Sequence, residues 1–283
     1  MNFYYIPSTI VFIMTFFFTG LFFASLYVSG LHIVETRKFS ISPKFGFLSS
    51  LLLVSALVAS LFLAYGLFHN SRSLWYFQKS FHALNTEKKT DLSKDYIMKA
   101  IGSVPYDLYY RALSEIELVK LGEVINQDPK VVKAEDVQKQ FGDVLSNAIK
   151  AAMSAKNTDP SNYLNWLNLG RLYETVSASD LKIAGAYESG EISYNEALKR
   201  SPKNPSILVS LSRLSASQGD FTKAREYALK AVQIKNNYLE AYFILSQIEV
   251  SANNIKGAID AVTASSIIDP TNPATFFQLG LLK

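Results

Sequence analysis

Residues 166–173 of this 283-residue chain read WLNLGRLY, and the order of bulky and small residues in them indicates how the helices pack. Leu169 and Gly170 follow Trp166 by three and four residues, so the three lie on one face of a helix. A glycine on that face lets a second helix approach closely, because no side chain holds the two axes apart. The stretch therefore predicts a helix that packs tightly against another helix.

The same order of bulky and small residues returns downstream. Leu208, Tyr242 and Phe276 take the place of Trp166 in later copies, and these three are spaced 34 residues apart. Small residues follow at matching positions in the two complete later copies: Ser212, Ala224 and Ala231, then Ser246, Ala258 and Ser265. The pattern resembles the tetratricopeptide repeat (TPR), a helix–turn–helix unit of 34 residues. The resemblance implies an all-α solenoid in which stacked helix pairs bury one continuous core.

Looser copies of the pattern lie upstream. One is closed by Ala148, Ala152, Ala155 and Pro160, and an earlier one is closed by Ile97, Ala100 and Pro105 and opened by Trp75 and Phe77. We therefore assign residues 71–158 to irregular, enlarged repeats and residues 159–283 to a regular solenoid truncated in its last repeat. Residues 106–157 predict two longer helices joined around 127–135. Residues 218–220 and 252–254 predict tight turns in which Gly or Asn adopts a left-handed conformation.

The N-terminal part has a different composition. Residues 3–34 and 47–68 contain no charged side chain. Each run is longer than the roughly 20 residues that a helix needs to cross a bilayer. The sequence therefore predicts a membrane domain over residues 1–70 with two transmembrane helices, at about 8–34 and 47–68. Trp75, Tyr76 and Phe77 would lie at the membrane interface as an aromatic belt.

The loop between the two predicted spans indicates their orientation. Residues 35–46 carry Arg37, Lys38 and Lys44 against a single acidic residue, Glu35. Basic loops stay in the cytoplasm, so both termini are expected on the other side. We predict a multi-pass protein of the bacterial cell (inner) membrane whose TPR region is extracytoplasmic.

The sequence offers little for catalysis. There is no cysteine. Of the three histidines, His32 lies at the inner end of the first predicted span, and His69 and His82 lie at or just above the outer membrane surface, where polar residues marking the interface are the simplest interpretation. No catalytic, metal-binding or phosphate-binding motif is present. We expect no cofactor, no metal and no enzymatic activity. Charges of both signs alternate after residue 85, which indicates no nucleic-acid track. The expected partners are a protein or peptide on the solenoid and the lipid bilayer around the spans.

The concave face of the predicted solenoid is the candidate binding surface. Positions 5, 9 and 12 of the first helix of each repeat point into it. The residues at these positions are Leu167, Arg171, Glu174, Val209, Arg213, Ala216, Phe243, Gln247 and Val250. Arg171 and Arg213 either bind a carboxylate in bidentate fashion or are solvated surface residues. The Lys/Asn set with which some TPR proteins clamp chaperone tails is not matched, since position 5 holds Leu, Val or Phe.

A narrower resemblance concerns residues 100–111, AIGSVPYDLYYR, and residues 165–170, NWLNLG. Placed after two spans, they resemble the C-terminal end of bacterial O-antigen ligase or polymerase-like proteins with TPR tails. The resemblance implies a fragment of a glycan-transferring membrane protein, with glycan-assembly machinery as a possible partner. The family's catalytic Arg and His lie in a part that has no counterpart here, so no catalytic residue is transferred. Two hypotheses follow: a membrane-anchored TPR scaffold with an extracytoplasmic protein-binding surface, or the tail of a glycan ligase.

Overall fold

The computed structural model describes residues 18, 20–22, 25, 43–127, 132–177 and 184–282. The chain divides into two compact units, residues 1–64 and residues 65–283. The described residues form helices α1 to α11 and contain no strand. In chain order the helices are α1 Pro43–Asn85, α2 Thr90–Ser103, α3 Asp107–Ile125, α4 Ala134–Thr158, α5 Tyr163–Ser177, α6 Ala186–Arg200, α7 Pro205–Ser217, α8 Phe221–Ile234, α9 Leu239–Ser251, α10 Ile255–Ile268 and α11 Pro273–Leu282.

The first unit contains most of the apolar run of α1, which ends at Phe68 in the second unit. Among the described residues, α1 is the one helix whose length and composition allow a membrane crossing, and its apolar window is not buried. It includes the predicted span at 47–68 and continues to Asn85. The other predicted span, at about 8–34, and the loop as far as residue 42 lie outside the described residues, except for the helical positions 18, 20–22 and 25. The prediction of two transmembrane helices is therefore not confirmed.

The second unit is built from helix pairs. Consecutive helices pack as α3 with α4, α5 with α6, α7 with α8 and α9 with α10, and α11 follows against α10. The two longer helices predicted within residues 106–157 are confirmed as α3 and α4. Each pair buries one face against its neighbours, which is the packing that a helical solenoid requires.

The predicted small residues lie where helices meet. Ala224, Ala231 and Ala258 are completely buried. Gly190 faces Leu214 and Tyr173, and a Cβ atom there would lie 3.3 Å from each of those side chains. The core of the second unit therefore depends on small residues at fixed positions, as the repeat pattern predicted.

The tight turns are also confirmed. Gly219 and Asn253 adopt left-handed backbone conformations, with φ of 80° and 58°. The side chains of Asp220 and Asn254 then cap α8 and α10 by accepting hydrogen bonds from the backbone N–H of Lys223 (3.0 Å) and Gly257 (3.2 Å). These caps satisfy N–H groups that have no partner within their own helices.

The last turns of α1 belong to the second unit. Ser73 Oγ donates a hydrogen bond to the carbonyl of Ala100 (3.1 Å), and Ser80 Oγ donates to the carbonyl of Ser93 (2.8 Å). The small serine side chains allow α1 and α2 to pack closely, and Ile97 is fully buried in their cluster. The last turns of α1 therefore form the first helix pair together with α2.

Candidate functional site

The first helices of the pairs, α1, α3 and α5, line a cavity of about 400 Å³. Most of its walls are apolar side chains, namely Phe77, Phe81, Leu84, Leu108, Ala112, Ile116, Leu164 and Leu167. Its polar side chains are Ser80, Asn85, Ser93, Arg111, Glu115, Asn168 and Arg171. We call this space the A-helix cavity. An apolar space with a few polar groups is typical of a binding site.

Arg111 in the A-helix cavity is already engaged. Its Nη1 donates to Asp107 Oδ2 at 2.9 Å and to Asn165 Oδ1 at 2.5 Å. Asn165 is fully buried and also donates to the carbonyl of Asp159 at 2.7 Å. These bonds tie α3 to α5 and to the turn before α5. Arg111 therefore shapes the cavity wall, and its charge is compensated within the protein.

Asn168 and Glu115 form a second polar pair in the same wall. Asn168 Nδ2 donates to Glu115 Oε1 at 2.9 Å. Asn168 is 5% exposed, and its Oδ1 atom has no hydrogen-bond partner among the described residues. A buried amide oxygen without a partner is costly, so this wall has unused capacity to accept a hydrogen bond.

Arg171 differs from the other arginines of this face. It is exposed and lines the A-helix cavity. Its guanidinium makes no ion pair or side-chain hydrogen bond with any residue in the described ranges. Arg171 is therefore a cation available to a ligand at the edge of an apolar cavity.

Arg213 is held between neighbouring repeats. Its Nε lies 3.0 Å from Glu174 Oε1 and its Nη1 lies 3.0 Å from Glu240 Oε1. Tyr194 donates its hydroxyl hydrogen bond to Glu174. Burial, together with the charge of Glu174, raises the pKa of the Tyr194 phenol well above its usual range, so it stays a neutral donor. The network joins α5, α6, α7 and α9.

The remaining predicted surface residues divide into buried and exposed ones. Leu167 and Val209 are only 6% and 1% exposed, so they belong to the packing between helices rather than to an open surface. Phe243, Gln247 and Val250 are exposed on α9. Phe243 also lines a second cavity, of about 290 Å³, between α9, α10 and α11.

Trp166, the first residue of the WLNLGRLY stretch, has a structural role. Its indole N–H donates to the carbonyl of Pro160 at 2.9 Å. Its ring lies under the guanidinium of Arg200 at 4.6 Å and the ammonium of Lys156 at 5.2 Å. These contacts fix the turn before α5, and the Trp166 side chain is partly buried.

Two of the three histidines are described, and both lie near the first helix pair. His69 packs on the ring of Tyr65 with centroids 4.3 Å apart, and His82 lies 3.7 Å from Glu87. Within the described ranges, no three His, Asp or Glu side chains gather as a metal site. His32 lies outside the described residues.

Comparison with known families identifies the helix pair α7–α8. Residues 205–238 match the family model of the tetratricopeptide repeat. This helix pair is a tetratricopeptide repeat. The match begins at Pro205, the first residue of α7, and ends at Tyr238, directly before α9, so one TPR occupies one pair and its following turn.

Solved structures support the same fold for the larger unit. A thermophilic TPR protein of Thermus thermophilus aligns with a TM-score of 0.54 at 13% identity, covering 74% of this chain and 98% of that one. A structure of MamA from Desulfovibrio magneticus RS-1, which runs from residue 41 to the end of that protein, aligns with a TM-score of 0.52 at 11% identity. The alignment covers 71% of this chain and 97% of that one. The fold is therefore an all-helical TPR solenoid.

A curated relative matches part of the sequence. The Sol locus transcriptional repressor of Clostridium acetobutylicum is 29% identical over 86 residues, which is 30% of this chain and 27% of that protein. The match thus spans about a quarter of the relative. None of these three proteins is described as a glycan ligase, and the resemblance to O-antigen ligases stays a prediction.

Proposed function

We propose that this chain is a membrane-anchored TPR scaffold that binds a protein partner in the A-helix cavity. The observation that carries the proposal is the exposed guanidinium of Arg171, unpaired among the described residues, at the edge of an apolar space. TPR solenoids present extended surfaces of this kind to their partners. Among the residues that the structure describes, the same face offers no group of side chains arranged for catalysis.

The chemistry of the cavity defines the partner. Apolar walls favour burial of one or more apolar side chains. A carboxylate beside them would form a charge-assisted, bidentate pair with Arg171. Arg111 and Arg213 have acidic partners within the protein, so they contribute less to such recognition. The expected ligand is a peptide segment with an acidic residue next to apolar residues.

Membrane anchoring and an extracytoplasmic solenoid are further parts of the proposal. They are supported by the uncharged run 47–68 within α1 and by the basic loop 35–46. A scaffold held at the membrane would keep its partner close to the bilayer surface. Proteins of a glycan-assembly system would be suitable partners for a scaffold at the bilayer surface.

Site-specific photo-crosslinking in cells tests the binding surface. A photoreactive phenylalanine at Leu164 places the probe inside the A-helix cavity, where this residue is partly exposed. The matched control places the probe at Ile192 on α6, which is exposed but does not line the cavity. We expect a specific crosslinked species from position 164 and none of the same mass from position 192. Equal crosslinking at both positions would remove the cavity as the binding surface.

Charge reversal then tests the role of Arg171. Arg171→Glu should reduce the crosslinked species about tenfold, because losing a charged hydrogen bond costs about 1.5–3 kcal/mol. Lys203→Glu is the matched control, since Lys203 is exposed in the turn between α6 and α7. If both variants behave alike, the partner does not use the Arg171 guanidinium.

The absence of cysteine makes orientation directly measurable. Lys203→Cys places a single thiol on the solenoid, and Ser40→Cys places one in the basic loop. In intact spheroplasts, a membrane-impermeant maleimide should label the first and not the second. The reverse pattern would place the solenoid in the cytoplasm.

A further inference from the structure

The part of α1 that follows the apolar run has an unusual exposed face. Phe68, Arg72, Trp75 and Lys79 are spaced four, three and four residues apart, so they lie on one side of the helix. Phe68 is 63% exposed and Trp75 is 51% exposed, and both cations are at least partly exposed as well. The opposite side of the helix carries Ser73 and Ser80, which pack against α2.

The cations and aromatic rings of this face form one cluster. The Arg72 guanidinium lies 5.6 Å from the centre of the Tyr76 ring, and the Lys79 ammonium lies 5.6 Å from the centre of the Trp75 ring. The two rings meet edge to face with centroids 5.1 Å apart. Aromatic faces hold the positive groups in place but leave their charge uncompensated.

The helix that forms this cluster carries no carboxylate. Residues 36–86 contain no Asp or Glu. Among the described residues, neither Arg72 nor Lys79 takes part in an ion pair. The next acidic side chain, Glu87, feels the charge of Lys79, but its stronger contacts are with Lys89 at 3.0 Å and with His82 at 3.7 Å. The cluster is therefore a net positive site that can take an anion from outside the chain.

Distance along the helix identifies the source of that anion. Trp75 follows Phe68 by seven residues, which is about 10 Å at the rise of an α-helix. Helical side chains lean toward the N-terminus of their helix, which here is the direction of the apolar run. Arg72, four residues past Phe68, lies about 6 Å along the helix and falls within the headgroup layer, which is roughly 5–8 Å thick on each side of the hydrocarbon core. The long side chains of Trp75 and Lys79 extend back toward that layer. Trp and basic residues are favoured in that layer.

We propose that Arg72, Trp75 and Lys79 form a binding site for an anionic phospholipid headgroup. The two cations pair with the phosphate of the anionic lipid, and the indole occupies the interface between them. The inference rests on the membrane crossing of α1 proposed above. The site would enrich acidic lipids around α1 and fix the depth of the helix.

Energy transfer from Trp75 to labelled lipids tests the proposal in the full-length chain. The chain has two tryptophans, so Trp166→Phe leaves Trp75 as the only tryptophan donor. The protein is placed in nanodiscs that contain dansyl-labelled phosphatidylglycerol or dansyl-labelled phosphatidylcholine at equal mole fraction. We expect stronger transfer to the anionic lipid, with about fivefold local enrichment for each cation.

Charge removal completes the test. Arg72→Gln with Lys79→Gln should lower transfer to the anionic lipid to the level of the neutral lipid. Lys139→Gln with Lys150→Gln is the matched control, since both are exposed on α4, and it should leave the preference unchanged. Equal transfer to both lipids in the parent chain overturns the headgroup site and leaves the membrane crossing standing. No transfer to either lipid overturns the crossing as well.

Discussion

Gly170 on α5 lies directly against the ring of Tyr194 on α6. A Cβ atom added at Gly170 would overlap the Cδ1 and Cε1 atoms of that ring. The Tyr194 side chain is fully buried, and its hydroxyl donates to Glu174 on α5. The ring cannot move aside without breaking that hydrogen bond. The close approach of α5 and α6 therefore depends on the missing side chain at position 170.

Gly170→Ala should destabilise the solenoid by about 1–3 kcal/mol, the usual cost of overpacking a core. The matched control is Gly102→Ala in α2, where an added Cβ meets nothing within 4 Å. There the better helix propensity of Ala should stabilise by up to about 1 kcal/mol. Urea unfolding of the detergent-solubilised chain, followed by circular dichroism, measures both. Equal effects of the two substitutions would contradict the packing interpretation.

The two arginines of the predicted concave face should respond differently to neutralisation. Arg213→Gln removes both ion pairs of Arg213 and leaves Glu174, partly buried, beside Tyr194. We expect a loss of about 1–3 kcal/mol, because a charged hydrogen-bond partner is removed. Arg171→Gln removes no side-chain hydrogen bond or ion pair with the described residues and should change stability by less than about 0.5 kcal/mol. The same urea unfolding measurement distinguishes the two variants. A large loss of stability in Arg171→Gln would reveal a structural role for Arg171.

The sequence predicted those features that depend on residues close together in the chain. The small side chains at Gly170, Ala224 and Ala258 and the left-handed turns at Gly219 and Asn253 follow from helix packing and backbone sterics. Each of these features is local or repeats at a fixed spacing, so a single sequence is enough to reveal it.

The candidate site was less predictable. Arg213 pairs with residues 39 and 27 positions away, and Asn165 pairs with Asp107 across 58 positions. No local pattern specifies such pairs, so position in the repeat alone could not separate Arg213 from Arg171. Leu167 was predicted at the open surface, but the packing of α5 against α6 and α7 buries most of it.

The ion pair between α8 and α9 should make stability depend on acidic pH. Arg225 Nε and Nη2 donate to the two carboxylate oxygens of Glu249 at 2.5 and 2.6 Å. The Arg225 hydrogen bonds, with a further one from Asn254, lower the pKa of Glu249 below its ordinary value of 4.5. The unfolded chain then binds a proton more readily than the folded chain. The stabilisation is complete above about pH 5 and is lost as the pH falls through the lowered pKa.

Glu249→Gln should therefore lower stability at neutral pH. It should also reduce the loss of stability that the parent chain shows as the pH falls from about 5 to about 3. Glu226→Gln is the control, since Glu226 lies on the surface of α8 in an exposed pair with Lys230. Melting temperatures measured across this pH range compare the two. Parallel plots of melting temperature against pH for Glu249→Gln and the parent chain would show that this carboxylate does not contribute to the loss of stability at acidic pH.

The stability of the first helix pair, α1 with α2, should depend on residues 65–85, the part of α1 at and beyond the end of its apolar run. Ser73 and Ser80 bond to α2, and the Phe77 ring lies 5.2 Å from the ring of Tyr109 on α3. Without residues 65–85, the buried face of α2 around Ile97 would be exposed to solvent, and burying one such side chain is worth about 1.5–3 kcal/mol.

A fragment of residues 65–283 should therefore keep α2 protected from amide hydrogen exchange, whereas a fragment of residues 86–283 should lose that protection. Repeats stabilise mainly their nearest neighbours, so exchange in α7 to α10 should be the same in both fragments. Hydrogen exchange read by mass spectrometry gives both values in one experiment. Equal protection of α2 in the two fragments would mean that the solenoid begins at α2 or later, and that the end of α1 is only a connection to it.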